Sequence, residues 1–113
     1  VGILAGIAIP SYRSHVIRVK RADAKVALIS TAQTLERCFT RFNAYDNAAC
    51  NTGLPFNTPD DTYTISGVIA ANTFTLTATP QGGQAKDTDC ANFVLNQAGT
   101  QTVSGSKPAT ECW

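Results

Sequence analysis

From Ser11 to about Phe42 the chain has no proline or glycine, and apolar side chains recur at Val16, Val19, Ala22, Val26, Ile29, Ala32, Leu35, Phe39 and Phe42. Steps of three and four on a 3.6-residue period predict one long amphipathic helix. Its roughly 32 residues would extend about 48 Å, more than a small domain covers, so the N-terminal part is expected to project from the body. Ahead of it lies the uncharged run Val1-Gly-Ile-Leu-Ala-Gly-Ile-Ala-Ile, ending at Pro10. As a helix that run would reach only about 14 Å, roughly half of the hydrocarbon thickness, so by itself it is too short to span a membrane. Positive charge follows the run instead of preceding it, which is the wrong order for a signal peptide. The run therefore reads as the tail of a longer apolar segment, with a buried N-terminal helix as the plainer alternative. Pro10 has no N–H and crowds the carbonyl four residues back, which predicts a kink, or a loosening into extended chain near Gly2 and Gly6.

At Asn43 the pattern changes to turn chemistry, with Gly53, Pro55 and Pro59 inside a polar stretch that predicts a connecting loop over 43–61. Period-two alternation follows. Tyr63 to Ala70 and Thr73 to Thr79 read as strands joined by a hairpin at Ala71-Asn72, with Phe74, Leu76 and Ala78 facing inward and the intervening threonines facing water. Phe93-Val-Leu-Asn predicts a third strand and Thr100 to Ser104 an optional fourth. The expected fold is α+β, a long N-terminal helix packed on a sheet of three to four antiparallel strands. The expected divisions are an apolar remnant over 1–12, the amphipathic helix over 13–42, the loop over 43–61 and the sheet with its C-terminal loop over 62–113. The globular unit is placed at 25–113.

A chain of 113 residues has room for one modest core. Net charge is only +1, yet residues 13–41 hold seven Lys or Arg against Asp23 and Glu36, while residues 42–113 hold two against six acids. A basic helix on a mildly acidic body favours packing with copies of itself, or contact with anionic headgroups, over a dedicated nucleic-acid surface. Cys38, Cys50, Cys90 and Cys112 lack the close pairs of a thiolate zinc site, and an even count at wide intervals suits disulfides outside the cytoplasm. Three connectivities are open; the sequential one closes the shortest loops.

These residues resemble a known family. The junction Val1-Gly-Ile-Leu-Ala-Gly-Ile-Ala-Ile-Pro-Ser-Tyr before a basic helix is similar to the N-terminal helix of type IV pilins after their first dozen or so mature residues. Phe74-Thr-Leu-Thr-Ala-Thr-Pro, Cys90 with Phe93-Val-Leu-Asn-Gln-Ala-Gly-Thr, and the terminal Cys112-Trp113 resemble the same family's strands and C-terminal disulfide loop. The resemblance, type IVa-like and open between major and minor pilins, implies a pilin fold and a structural subunit of a pilus filament serving adhesion, twitching motility or DNA uptake. It equally implies, as the alternative, a minor pilin or pseudopilin that primes or tips the filament and binds DNA, a surface or secreted cargo. The family's processed N-terminus, with its glutamate, is absent from this sequence.

The resemblance also implies the partners: copies of itself in a helical filament, other pilins and the assembly machinery, and the inner membrane before assembly. DNA is open but not indicated by charge. The expected location is the extracellular filament, with inner membrane and periplasm before assembly in a Gram-negative bacterium. Val1, Ile3, Leu4, Ile7, Ile9, Pro10 and Tyr12 are the expected filament and membrane contacts. Arg13, Arg18, Lys20, Arg21 and Lys25 form the expected basic helix face, a plain solvated face being the alternative. No G-x-S-x-G, HExxH or phosphate loop occurs, His15 has no nucleophile or metal partner in sequence, and no catalytic residue, metal or cofactor is expected. Asp60-Asp61 reads as a solvated turn, and Trp113 as a cover for the sheet or the disulfide loop.

Overall fold

The computed structural model describes residues 2–50 and 53–113, with side chains described from His15 onward, Asp60 apart. Helix α1 (Gly2–Phe42) is followed by β1 (Phe56–Asn57), a 3-10 turn (Pro59–Asp61), β2 (Tyr63–Ile69) and β3 (Phe74–Pro80). A second 3-10 turn (Gly82–Lys86), β4 (Phe93–Asn96), β5 (Gln101–Val103) and the short helix α2 (Ala109–Cys112) complete the chain. The five strands form one antiparallel meander in the order β1-β2-β3-β4-β5. α1 lies across β2, β3 and β4. β2 and β3 are joined by a tight turn because their alternating runs are separated by only a few residues: Ile69 pairs with Phe74, and the Ala70 N–H bonds the Thr73 carbonyl across the Ala71-Asn72 turn; β3 and β4 are joined by a longer loop that holds the second 3-10 turn.

Four expectations change. The helix runs unbroken through Gly6 and Pro10 to Gly2 instead of loosening into extended chain; Pro10 removes a single donor from a ladder of 41 residues. β1, within the expected loop, adds a fifth strand by pairing Phe56 with Ile65 and Asn57 with Thr64. At two residues it is too short to leave a period in the sequence. The body also grips the helix from Ile17 and Arg21 onward, N-terminal to the expected start of the globular unit at residue 25.

The fourth change concerns the face of α1. The core seam is Ala24, Leu28, Thr31, Leu35 and Cys38, all buried. Of the apolar series in the sequence, Leu35 belongs to this seam and Ala32 and Phe39 pack beside it, whereas Val19, Val26, Ile29 and Phe42 are exposed. Two apolar stripes share one helix, and steps of three and four connect residues on either stripe equally well. Against the seam the sheet presents Tyr63, Ile65, Phe74, Leu76, Ala78, Phe93 and Leu95, the alternation expected for β3.

α1 stops where Asn43 takes a left-handed conformation (φ 57°) and its N–H bonds the Phe39 carbonyl at 2.7 Å. The chain then doubles back so that Tyr45 lies between Phe39 and Phe74, at ring separations of 4.6 and 4.9 Å. Disulfides join Cys38 to Cys50 and Cys90 to Cys112. The first ties the connecting loop to the end of the helix, and the second ties the last residues under β4. Trp113 meets Phe93 edge to face at 5.5 Å and donates its indole N–H to the Thr102 carbonyl at 3.1 Å.

Candidate assembly surface

The side of α1 turned from the sheet carries Val19, Ala22, Val26 and Ile29 at steps of three, four and three, and all four are exposed. Val26 is 67 % exposed and Val19 53 %, values that an isolated, stably covered core helix does not show. The strip forms a ridge with a groove on each side. One groove, of about 470 Å³, runs between the helix and the β4–β5 turn past Ile29, Ala32, Phe74 and Leu95. The other, of about 360 Å³, runs past Ala22, Val26, Ala27, Phe56 and Pro59. Beyond Ile29 the ridge turns polar at Gln33 and Arg37, so the apolar strip has a defined end. Ridges at i±3 and i±4 spacing seat in the grooves of another helix, which gives this surface the shape of a helix-packing face.

The strip is presented rigidly because the middle of α1 is bound to the body by polar contacts. Arg21 forms a bidentate pair with Asp87, Nε to Oδ2 at 2.7 Å and Nη2 to Oδ1 at 2.8 Å, with side-chain exposures of 11 % and 1 %. Asp87 raises the guanidinium pKa above its ordinary value, and burial opposes this. The Cys90 N–H also donates to Asp87, so the pair connects α1 to the start of the C-terminal disulfide loop. Buried Gln84 donates from Nε2 both to the Ile17 carbonyl and to Tyr63 Oη, each at 2.9 Å. Thr62 donates to Asp23 at 2.9 Å. Burial pushes the Tyr63 phenol up to about 12, with the Gln84 hydrogen bond opposing the shift.

The predicted basic face is corrected here. Arg21 is turned into the body by its pair with Asp87, and Lys20 lines a separate groove of about 690 Å³ with Val16, Ile17 and Gln81 to Gln84. Positions 18, 21 and 25 fall on one side of a 3.6-residue helix and position 20 well away from them, and with Arg18 exposed but Lys25 half-buried the set does not form one exposed basic face. The Arg13 side chain lies outside the described side chains, as do those of Ile3, Leu4, Ile7, Ile9, Pro10 and Tyr12, and Val1 lies outside the described residues. His15 is exposed. Among the described residues no group of three His, Cys, Asp or Glu is placed to hold a metal ion. Asp87, Gln84 and Thr62 escaped the sequence reading because nothing local marks a loop residue as the partner of a helix some forty to seventy positions away.

A long helix with one face on an antiparallel meander, a second apolar face uncovered and a disulfide-closed C-terminal loop define the type IV pilin class. The family model for "Type IV minor pilin ComP, DNA uptake sequence receptor" matches residues 10–94, and the chain belongs to this family. It is similar to a type IV pilin from Shewanella oneidensis, at 28 % identity over 86 % of this chain and 97 % of that one, with a TM-score of 0.67. It shares the fold of the non-core minor pilin PilV of Neisseria meningitidis, at 24 % identity over 82 % of this chain and 91 % of that one, with a TM-score of 0.65. No curated protein sequence matches the chain. The protein is a type IV pilus subunit.

Proposed function

We propose that the chain enters its filament by packing the strip Val19, Ala22, Val26 and Ile29 against the helices of neighbouring subunits, with the run Val1 to Ile9 continuing that contact along the filament axis. The observation that carries this is one helix with two apolar faces, of which the sheet covers only one. Burial at roughly 25 cal/mol per Å², repeated in each subunit, makes the assembly stable although each contact is small. The contact is heterologous, a strip on one copy against a different part of the next, and contacts of this kind build open filaments. Before assembly the apolar run would sit against the inner membrane; among the described residues no helix is long and apolar enough to cross one. The chemistry of the subunit is packing, and no enzymatic step is assigned to it.

The test is a double substitution, Val26→Lys with Ile29→Lys. The expected result is loss of the chain from sheared pili while the purified chain melts as the parent does, because exposed positions tolerate change within about 0.5 kcal/mol. Normal incorporation of the variant would overturn the reading.

The family match favours a second reading, in which the exposed body contacts DNA during uptake. Charge restricts how: residues 42–113 offer Lys86 and Lys107 against six acids, and the end of α1 adds exposed Arg37 and Arg41. Four cations at most imply a shallow salt dependence, with log K falling by about 0.9 per phosphate contacted for each decade of salt. A binding titration of the purified chain against duplex DNA across salt concentrations reads that slope, and absence of binding removes this second reading without touching the first.

A further inference from the structure

A groove of about 690 Å³ lies where α1 enters the body, with Val16, Ile17 and Lys20 on one side and Gln81 to Gln84, Lys86 and Asp61 on the other. That volume is within the range of small-molecule sites, about 300–1,000 Å³. The space beside Gly82 and Gly83 is open, since nothing stands within 4 Å of where a Cβ would be at either position. Gln84 lines the groove and is only 5 % exposed. Its amide nitrogen is committed, donating to the Ile17 carbonyl and to Tyr63 Oη at 2.9 Å each, which leaves Oε1 as the acceptor. Among the described residues no group donates to that oxygen, and no fully buried polar side-chain atom lacks a partner, so Oε1 opens into the groove. Lys86 and Asp61, both exposed, bring opposite charges to the rim. A ligand that satisfies this set offers N–H donors to Oε1 and Asp61 and an anionic oxygen to Lys86. A phosphate alone is repelled by Asp61 and leaves Oε1 unmatched, and a quaternary ammonium has no N–H to give. A primary ammonium joined to a phosphate meets all three groups.

We propose that this groove binds the headgroup of phosphatidylethanolamine and so seats the body of the unassembled subunit on the membrane surface. The position of the groove fits this occupant. Helix α1 is continuous from Gly2, so Val16 stands about 10 Å along its axis beyond Ile9, the last apolar residue before Pro10. The headgroup layer on each side of a bilayer is roughly 5–8 Å deep. With the apolar run sunk in the hydrocarbon, the mouth of the groove therefore meets the outer edge of that layer, where the ammonium groups lie. Val16 and Ile17 turn an apolar wall toward the lipid side of the headgroup. The inference rests on the reading that the run sits against the membrane before assembly, and it adds a specific contact for the body.

The test is flotation of the purified chain with three kinds of vesicle: phosphatidylcholine alone, and phosphatidylcholine with part replaced by phosphatidylethanolamine or by phosphatidylglycerol. Salt is kept high enough to screen the general attraction of the α1 cations for anionic lipid. Phosphatidylethanolamine vesicles are expected to bind the chain roughly tenfold more tightly than phosphatidylcholine vesicles, the scale of one or two charge-assisted hydrogen bonds. Phosphatidylglycerol vesicles are expected to stay near the phosphatidylcholine level. Lys86→Ala and, separately, Asp61→Asn should each remove most of the tenfold gain and leave binding to phosphatidylcholine unchanged. Asparagine accepts the left-handed backbone of position 61 (φ 53°), and circular dichroism confirms that each variant is folded. Equal binding to phosphatidylcholine and phosphatidylethanolamine overturns the proposal and leaves the reading of the run standing. Binding to none of the vesicles overturns both. Two further results overturn the proposal alone: phosphatidylglycerol matching phosphatidylethanolamine, and both folded variants keeping the gain, which would trace it to looser lipid packing. None of these outcomes bears on packing through the strip Val19 to Ile29.

Discussion

Single residues at the junction of helix and body show how local chemistry controls stability. Tyr63 is fully buried and its phenol titrates near 12 in the fold against 10 in the open chain. A raised folded pKa means that the native state holds its proton longer, so the stabilisation is complete below pH 10 and is lost as pH rises from 10 toward 12. Denaturant midpoints measured across that window should fall, and Tyr63→Phe should flatten the fall. Arg21→Ala leaves the Asp87 carboxylate buried without its cation and should cost about 3 kcal/mol in chemical denaturation. Pairing Arg21→Met with Asp87→Leu should recover part of this but not all, because the Cys90 N–H then loses its acceptor. Gly105 is fixed by packing: a Cβ there would run into the backbone of Asp89 and Cys90. Gly105→Ala should therefore destabilise the C-terminal loop far more than an average surface change, and a melting curve reads this directly.

At the scale of elements, α1 behaves as two helices superposed. Its seam residue Leu28 is fully buried, and Leu28→Ala should cost about 2–5 kcal/mol. Two residues earlier, Val26→Ala should change the stability of the isolated chain by no more than about 0.5 kcal/mol, yet reduce the amount of chain recovered in pili. A matched pair of denaturation curves and a pilus shear assay separate the faces. The loop from Cys90 to Cys112 spans 22 positions, and in the loop-entropy model its closure stabilises the fold by roughly 3 kcal/mol. Selective reduction should lower the denaturation midpoint accordingly and loosen Trp113, whose indole bond to Thr102 depends on that closure.

For the whole molecule, much was legible from local pattern and the rest was not, for physical reasons that particular residues make plain. The helix, the hairpin at Ala71-Asn72 and the inward set Phe74, Leu76 and Ala78 follow from periods of 3.6 and 2, which depend only on near neighbours. The resemblance to pilins was likewise carried by short runs such as Cys90 with Phe93-Val-Leu-Asn-Gln-Ala-Gly-Thr. Which apolar stripe of α1 meets the sheet was not legible, because Val26 and Leu28 are equivalent to a periodicity and differ only once β2, β3 and β4 have chosen a side. The fate of Arg21 was hidden for the same reason: its charge reads as surface until the turn after Gly82–Lys86 brings Asp87 to it across 66 positions. By itself, then, the sequence determined the long helix, the longer strands, the class of fold and a helix longer than one small sheet can cover. Only the tertiary structure decided which surface was left over, since exposure is a property of what packs against a residue and not of the residue.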